Sequence, residues 1–327
     1  MKNSLVIVTA FLLHFMLGFN CRAQSTAADN YPTQTIKIIT NVGVGGTYDI
    51  FIRAIGDEMQ KTLGKPVVVE PRPGGNFLIA GRACAESAGD GHTICALTGE
   101  TMVYGELLFK KLPFDPRKDL APVSNLLFNT QLLVVSASLG VKSLEDLARV
   151  AKERPKSLAY MSPGIVQRNY LEEFNRRHGT DMVSVPFKGG GDAVANMLNG
   201  TTPIIFLGGA NFVPYIADGT VVGLAVDGRQ RSPLFPEVPT IYELGQTTTL
   251  PRNWLGLFVP AATPRRIIDR LHGAVATIMA EPGFRQRNLI ARGLEPIGDT
   301  PEEFARYLEQ DRIDCARAVE EAGLKPQ

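Results

Sequence analysis

The chain has 327 residues, 44% of them hydrophobic and 20% charged, with a formal net charge of +1 at pH 7. That length supports two domains, each with a sizeable core, and the composition is that of an ordinary globular chain. The charge balance excludes nucleic acid as a partner, because no basic excess is present to neutralise phosphates.

Lys2 is followed by an apolar run from Leu5 to Phe19, broken only weakly by Thr9, His14 and Gly18, and then by Cys21-Arg22-Ala23-Gln24. This is the layout of a secretory signal peptide cleaved after about Ala23. A membrane anchor is the competing reading, and the run is short for a span. A lipid anchor on Cys21 would want a small residue where Asn20 stands. Residues 1–23 are therefore expected to be the signal of an exported protein. Export leaves Cys84, Cys95 and Cys315. In an oxidising compartment Cys84, on a helix, and Cys95, on the next strand, can pair; three buried free thiols are the equal alternative.

The β-branched run Ile36 to Thr40 reads as a strand, and Ile52, Ile55, Met59 and Leu63 recur on one helical face before Gly64 stops the helix. Between them Asn41 to Asp49 form a glycine-rich turn ending in capping residues. Such a turn exposes backbone N–H groups at the positive end of the helix dipole, where an anion is favoured. Val67 to Glu70 is a second strand feeding the loop Pro71 to Asn76, and a helix follows to about Ala85. Thr93 to Leu97 is a third strand, ending in the polar turn Thr98-Gly99-Glu100. Leu112 to Pro116 and Leu120 to Val123 are proline-rich and read as an irregular crossing between domains.

A second series begins with the strand Leu132 to Val135 and a helix capped by Ser143, with Asp146 three residues on. Strands at Leu158 to Met161, Met182 to Val185, Ile204 to Leu207 and Val221 to Val226 follow. The first three end at Ser162-Pro163-Gly164, at Phe187 to Gly191 and at Gly208-Gly209-Ala210. Asp192 opens a short helix that Gly200 closes. Leu255 to Val259 returns the chain, Pro264 opens a helix, and Thr300-Pro301-Glu302-Glu303 is a capping box with proline at the first helical position. The alternation predicts α/β architecture with mainly parallel sheet. Ligands bind at the carboxyl ends of such strands, and between two lobes a cleft is the expected place.

Catalytic equipment is scarce. Beyond the signal the histidines are His92, His178 and His272, and no H-E-x-x-H, G-x-S-x-G or C-x-x-C occurs. No spacing suggests a metal site, and no cofactor is expected. Gly43-x-Gly45 fits the first two glycines of a dinucleotide fingerprint, but Tyr48 stands at the third and would obstruct helix–strand packing. A phosphate-binding P-loop fails for want of Gly-Lys-Ser/Thr. The same glycines can also serve only to turn the chain; repetition of the device on both lobes favours a ligand.

Several motifs then occur in order: Tyr31-Pro32, Gly45-Gly46-Thr47-Tyr48-Asp49, Arg72-Pro73-Gly74, Asp90-Gly91, Leu112 to Pro116 with Asp119 to Val123, Val185 to Gly189, Arg231-Ser232-Pro233 with Pro236 to Thr240, and Pro260-Ala261-x-Thr263-Pro264. Together they resemble the Bordetella uptake gene receptors, the extracytoplasmic solute receptors of tripartite tricarboxylate transport systems, over essentially the whole mature chain. The resemblance implies a periplasmic binding protein of type II, a Venus flytrap with two interdomain crossings. Lobe 1 would comprise residues 24–125 and 254–327, and lobe 2 residues 126–253. It also implies a small carboxylate ligand and a separate membrane permease as partner; a monomer is expected, and the absence of catalytic motifs leaves no candidate catalytic residue.

Carried onto this chain, the resemblance implies ligand contacts in lobe 1 from Val44, Gly45, Gly46, Thr47, Asp49, Gly74, Gly75, Asn76, Thr98 and Gly99. In lobe 2 it implies Ser162, Gly164, Val166, Gln167 and Arg168, then Lys188 and Gly189, then Gly208, Gly209 and Ala210. The chain departs from the family where Gly164 to Asn169 replaces a hydroxyl- and histidine-bearing stretch, where the loop around Gly74-Gly75-Asn76 is shorter, and where Gly208 to Ala210 replaces a more polar turn. Arg168 is expected either to fork onto a distal carboxylate or to stand solvated at the helix start; Lys188 either contacts the ligand or is a strand-end charge in solvent. The expected function is capture of an organic acid or amino acid and delivery to the permease. The alternatives are an exported α/β hydrolase and a sensor subunit presenting liganded receptor to a signalling protein.

Overall fold

The computed structural model describes residues 30–162, 165–186, 190–227, 231–232, 234–245, 252–321 and 323–326. The expected signal segment, with Cys21, lies outside them. Strands β1 (Ile36–Thr40), β2 (Val67–Pro71), β3 (Thr93–Thr98), β4 (Leu120–Asn129), β10 (Asn253–Pro260) and β11 (Leu294–Pro296) form a six-stranded sheet, ordered β11-β4-β10-β3-β1-β2. Strands β5 (Gln131–Ser136), β6 (Ala159–Met161), β7 (Val183–Val185), β8 (Ile204–Gly208) and β9 (Val221–Val226) form a five-stranded sheet, ordered β7-β6-β8-β5-β9. Each sheet is the centre of one lobe.

Alternation along β1 shows how the first lobe is filled. Ile36 and Ile38 join a core with Phe51, Ile52, Ile55 and Met59, whereas Ile39 faces a second core with Ala80, Cys84 and Leu97. A period of two sends neighbouring side chains to opposite faces, so one strand serves both layers. Helix α1 (Thr47–Leu63) covers one face and ends at Gly64, whose φ of 73° is left-handed. Helix α2 (Leu78–Ala85) covers the other, and Cys84 on it is disulfide-bonded to Cys95 of β3. In the second lobe, Leu133 and Val135 face one core and Leu132 and Val134 the other.

The sheets are mixed rather than mainly parallel. The pairs β1–β2, β1–β3, β6–β7 and β6–β8 are parallel, but β10 runs antiparallel to β3 and β4, and β5 runs antiparallel to β8 and β9. A strand that carries the chain from one sheet into the other must enter against its neighbours, and hydrophobic period alone carries no direction. The stretch Leu120 to Val123 is also not irregular: it opens the ten-residue strand β4. Pro122 is accommodated because the β4–β10 register shifts between Leu257 and Phe258, opposite it, and β11 pairs only with Leu127 to Asn129. Bulges and one-sided pairing are the places where a strand tolerates a missing N–H. β4 therefore continues past the expected boundary at residue 125 as far as Asn129.

Helix starts follow their local chemistry. In α4 (Leu144–Glu153) the Ser143 hydroxyl accepts the Asp146 amide at 3.1 Å. In α10 (Pro301–Glu321) the Glu303 carboxylate accepts the Thr300 amide at 2.9 Å, and Thr300 Oγ1 accepts the Glu303 amide at 3.2 Å.

Candidate functional site

Strand register fixes which loops meet. β1, β2 and β3 run together, so Thr40, Pro71 and Thr98 end on one edge of the first sheet. Leu255, near the start of β10, pairs with Thr98, and Asn253 pairs with Asn129 at the end of β4. In the second sheet, Gln131 pairs with Gly208, while β6 and β7 run with β8 toward the same edge. The two edges join through Asn129-Thr130-Gln131. The loops singled out in the sequence thus issue from two edges joined at the crossings, where a two-lobed protein has its cleft.

In the first lobe, α1 begins after Gly45, whose φ of +82° suits glycine, and Gly46, its N-cap. No side chain caps the helix at Gly46, contrary to the expected capping. Among the described residues no acceptor stands against the amides of Gly46, Thr47, Tyr48 or Asp49. These are orphan donors at the positive end of a 17-residue helix. The Gly45 amide, by contrast, donates to Asp49 Oδ2 at 2.9 Å, and Arg53 pairs with Asp49 Oδ1 at 3.0 Å. Burial alone would raise the Asp49 pKa; the hydrogen bonds from Arg53 and Gly45 and the Arg53 charge outweigh it and hold the carboxyl below its ordinary value. The Asp49 side chain is therefore engaged in shaping the turn, which leaves its backbone amide as the group open to a ligand. Val44 is 75% exposed on the same turn, and Thr47 is half-buried.

Asn41, which the sequence did not single out, ties the strand ends together. Its Nδ2 donates at 2.8 Å to both Thr98 Oγ1 and Thr101 Oγ1, and Thr101 Oγ1 donates at 2.9 Å to the Phe77 carbonyl. The Thr98 hydroxyl is thus directed inward. Gly74 and Gly75 both have positive φ, 102° and 54°, and are exposed, while the Asn76 side chain lies outside the described residues. Gly99 is buried against Trp254, where a Cβ would lie 3.2 Å from the indole Nε1. The polar turn expected at Thr98-Gly99-Glu100 leads into a π-helical turn, Glu100–Tyr104.

In the second lobe, Ser162 keeps its Oγ buried with no partner among the described residues. Gln167 is 7% exposed in the first turn of α5 (Ile165–His178), and Arg168 reaches Glu172 at 3.8 Å with its side chain 46% exposed. Gly164, Lys188 and Gly189 lie outside the described residues, as does the side chain of Val166. Gly208 and Gly209 are small for packing reasons: a Cβ would meet the Asn129 amide at 2.8 Å and the Phe235 ring at 2.6 Å respectively. Ala210 approaches Gly293 of the first lobe, where a Cβ would come within 2.9 Å of it.

A polar cluster lies between the crossings. The Tyr48 hydroxyl donates to Asn253 Oδ1 and is also hydrogen-bonded to Asn129, and Asn253 Nδ2 donates to Glu100 Oε1 at 3.2 Å. Burial, then the charges of Glu100 and Asp227, raise the Tyr48 pKa above the normal phenol value. Tyr48 entered the sequence reading as an obstacle to nucleotide packing and as one position of the motif Gly45 to Asp49, with no role of its own; the signal for that role was a hydroxyl placed two residues after Gly46. Asp227 Oδ1 accepts the Gln131 amide at 2.9 Å, and burial pushes its carboxyl up to about 7. His92 sits beside Thr33, His178 packs on Phe174, and His272 belongs to α8 (Arg265–Ala280), all away from this cluster. Among the described residues no group of acidic, cysteine and histidine side chains could hold a metal, and no helix is long and apolar enough to cross a membrane.

The chain as a whole is similar to known proteins. The model of the tripartite tricarboxylate transporter family receptor matches residues 51–324. Protein BugT of Bordetella pertussis is 29% identical over 306 residues, 93% of this chain and 94% of that protein. The UPF0065 protein in the gbd 5' region of Cupriavidus necator is 29% identical over 310 residues, 94% and 93% of the two chains. Among solved structures, a periplasmic transporter at 30% identity superposes with a TM-score of 0.79, covering 90% of this chain and 99% of that one. MatC from Rhodopseudomonas palustris with bound malate is similar at 28% identity, with a TM-score of 0.76 and coverage of 88% and 100%. An R. palustris protein with adipate is similar at 26%, with a TM-score of 0.81 and coverage of 91% and 100%. Both lobes and both crossings fall within these matches, and the chain belongs to the tripartite tricarboxylate transporter family receptors.

Proposed function

We propose that this solute receptor works in the periplasm, takes a small organic anion into the cleft between its lobes without altering it, and delivers it to the permease of a tripartite tricarboxylate transport system. The observation that carries the proposal is the run of amides from Gly46 to Asp49 at the start of α1 that have no acceptor among the described residues, on the edge that faces the second lobe. Such amides neutralise a carboxylate through fixed dipoles rather than through a deep ion pair. That suits a protein which must also release its cargo, since closure need only be favoured by the differential affinity of the two states. Malate and adipate in two similar proteins support a carboxylate as the anion.

Thr47 and the amides of Gly46 to Asp49 are assigned to one carboxylate, with Gly74, Gly75 and Gly99 lining the same side. Ser162, Gln167 and Arg168 are assigned to the facing side. The test is a thermal-shift screen of unfolded, dialysed and refolded protein against small carboxylic acids. A ligand at about a hundred times its dissociation constant adds roughly 2.7 kcal/mol, and mass spectrometry should recover it unchanged. Turnover of the acid or of its esters would overturn the proposal, as would the absence of any response across the screen.

A further inference from the structure

Thr101 is not among the residues assigned to the ligand, yet its side chain joins the loops that carry them. It is fully buried, in the π-helical turn that follows β3, and turns of that kind are concentrated at functional positions. Its hydroxyl accepts a hydrogen bond from Asn41 Nδ2 at 2.8 Å and donates one to the Phe77 carbonyl at 2.9 Å. The second Nδ2 hydrogen of Asn41 goes to Thr98 Oγ1, also at 2.8 Å. Asn41 follows β1 and opens the turn into α1, Phe77 closes the loop after β2, and Thr98 ends β3. One hydroxyl and one amide thus link the loops after all three strands. The methyl is fixed as well: a Cβ on Gly81 of α2 would lie 2.7 Å from Thr101 Cγ2, so the methyl packs on that helix and the hydroxyl keeps its direction.

Phe77 shows what the linkage restrains. Its φ of 69° and ψ of 3° are left-handed, a conformation that an aromatic residue rarely adopts. Its amide donates to the Gly74 carbonyl at 2.9 Å, and its own carbonyl is the one that Thr101 holds. Strained backbone of this kind persists only where its surroundings over-determine it. Without the Thr101 hydroxyl, the Phe77 carbonyl and one Asn41 hydrogen lose their partner together, and the loops after β1 and β2 are released from β3. A receptor whose loops sample several arrangements binds only through the fraction that is in the right one.

We propose that Thr101 is a positioning residue for ligand capture: through Asn41 and Phe77 it holds the three loops of lobe 1 in their receiving geometry before the anion arrives. This rests on the receptor function proposed above and deepens it.

The experiment uses the mature chain, refolded after removal of copurified solute, as wild type, Thr101→Val and Thr101→Ser. Gly64→Ala serves as a control, since its strain falls at the far end of α1. The probes are a mixture of mono- and dicarboxylic acids of two to six carbons and a mixture of the common amino acids; the component that raises the wild-type melting temperature is titrated by calorimetry. Thr101→Val keeps the side-chain shape and removes the hydroxyl. It should weaken binding about tenfold, as when the competent arrangement falls to about a tenth of the population. Hydrogen exchange should quicken selectively over residues 72–77, where the Arg72 and Phe77 amides are hydrogen-bonded. Thr101→Ser should keep most of the affinity, and Gly64→Ala all of it. In wild type, exchange over residues 72–77 should be slow already without ligand. Fast exchange there that slows only on binding would overturn the positioning role, with no variant needed. So would wild-type affinity in a folded Thr101→Val protein, or an equal loss in Gly64→Ala; each of these leaves the receptor function standing. Silence of wild type toward both mixtures would overturn the receptor function itself, and this role with it.

Discussion

Asp227 keeps its Oδ2 buried without a described partner while Oδ1 accepts the Gln131 amide. Its residue is 3% exposed, and desolvation raises the carboxyl from the usual 3.8 to about 7. The sign follows from proton linkage: between these two values the folded state binds the proton that the unfolded state has lost, so stability falls as pH rises from about 4 to 7 and is level above. Asp227→Asn keeps an acceptor for the Gln131 amide and removes the charge. The variant is expected to melt higher than wild type at pH 8, and the difference should vanish near pH 4; melting curves across that range check both. Sequence showed none of this, since the aspartate follows an ordinary strand and becomes anomalous only when the crossing from β4 to β5 covers it.

Two elements set the ligand loop apart from its scaffold, and each can be altered alone. A side chain at Gly45 meets no atom within 4 Å but does meet the left-handed backbone of φ +82°, a cost of about 1–2 kcal/mol, and relaxing that strain is expected to turn the amides that follow. Gly64, with φ +73° at the far end of the same helix, meets the same backbone cost in open space. Gly45→Val should therefore lower ligand affinity at least tenfold, whereas Gly64→Ala should cost similar stability and leave affinity unchanged, as calorimetry would read. The Cys84–Cys95 bond joins α2 to β3 across 11 residues beneath the ligand edge. Replacing both by alanine should lower stability by about 2–3 kcal/mol in denaturant unfolding, in line with closure of a short loop. The strand–turn–helix unit was legible because glycine spacing and helical period are local properties. That Asp49 turns back to Gly45 was not, because its choice of partner depends on how Arg53 lies one turn along α1.

At the scale of the whole molecule, the lobes touch beside the crossing Asn129-Thr130-Gln131, where Leu294 pairs with Asn129, the Gly209 amide donates to the Thr130 carbonyl, and Gly293 of the first lobe approaches Ala210 of the second. A Cβ on Gly293 would lie 2.9 Å from the Ala210 Cα, and its φ is +74°. Gly293→Val should hold the lobes apart: small-angle scattering with and without ligand is expected to show the radius of gyration of wild type decreasing on binding and that of the variant decreasing less or not at all, with secondary structure retained. Equal compaction in the variant would place the hinge elsewhere. By itself, the sequence determined the alternation of strands and helices, the glycine turns and the family, because these rest on local periodicity, backbone preference and motifs read in order. The tertiary structure alone decided that Pro122 lies within a strand, that the sheets are mixed, and that Tyr48, Asn129, Asn253, Asp227 and Glu100 gather at the crossings. Strand direction and register are set by contacts between segments far apart in the chain, and no window along the sequence contains both partners of such a contact.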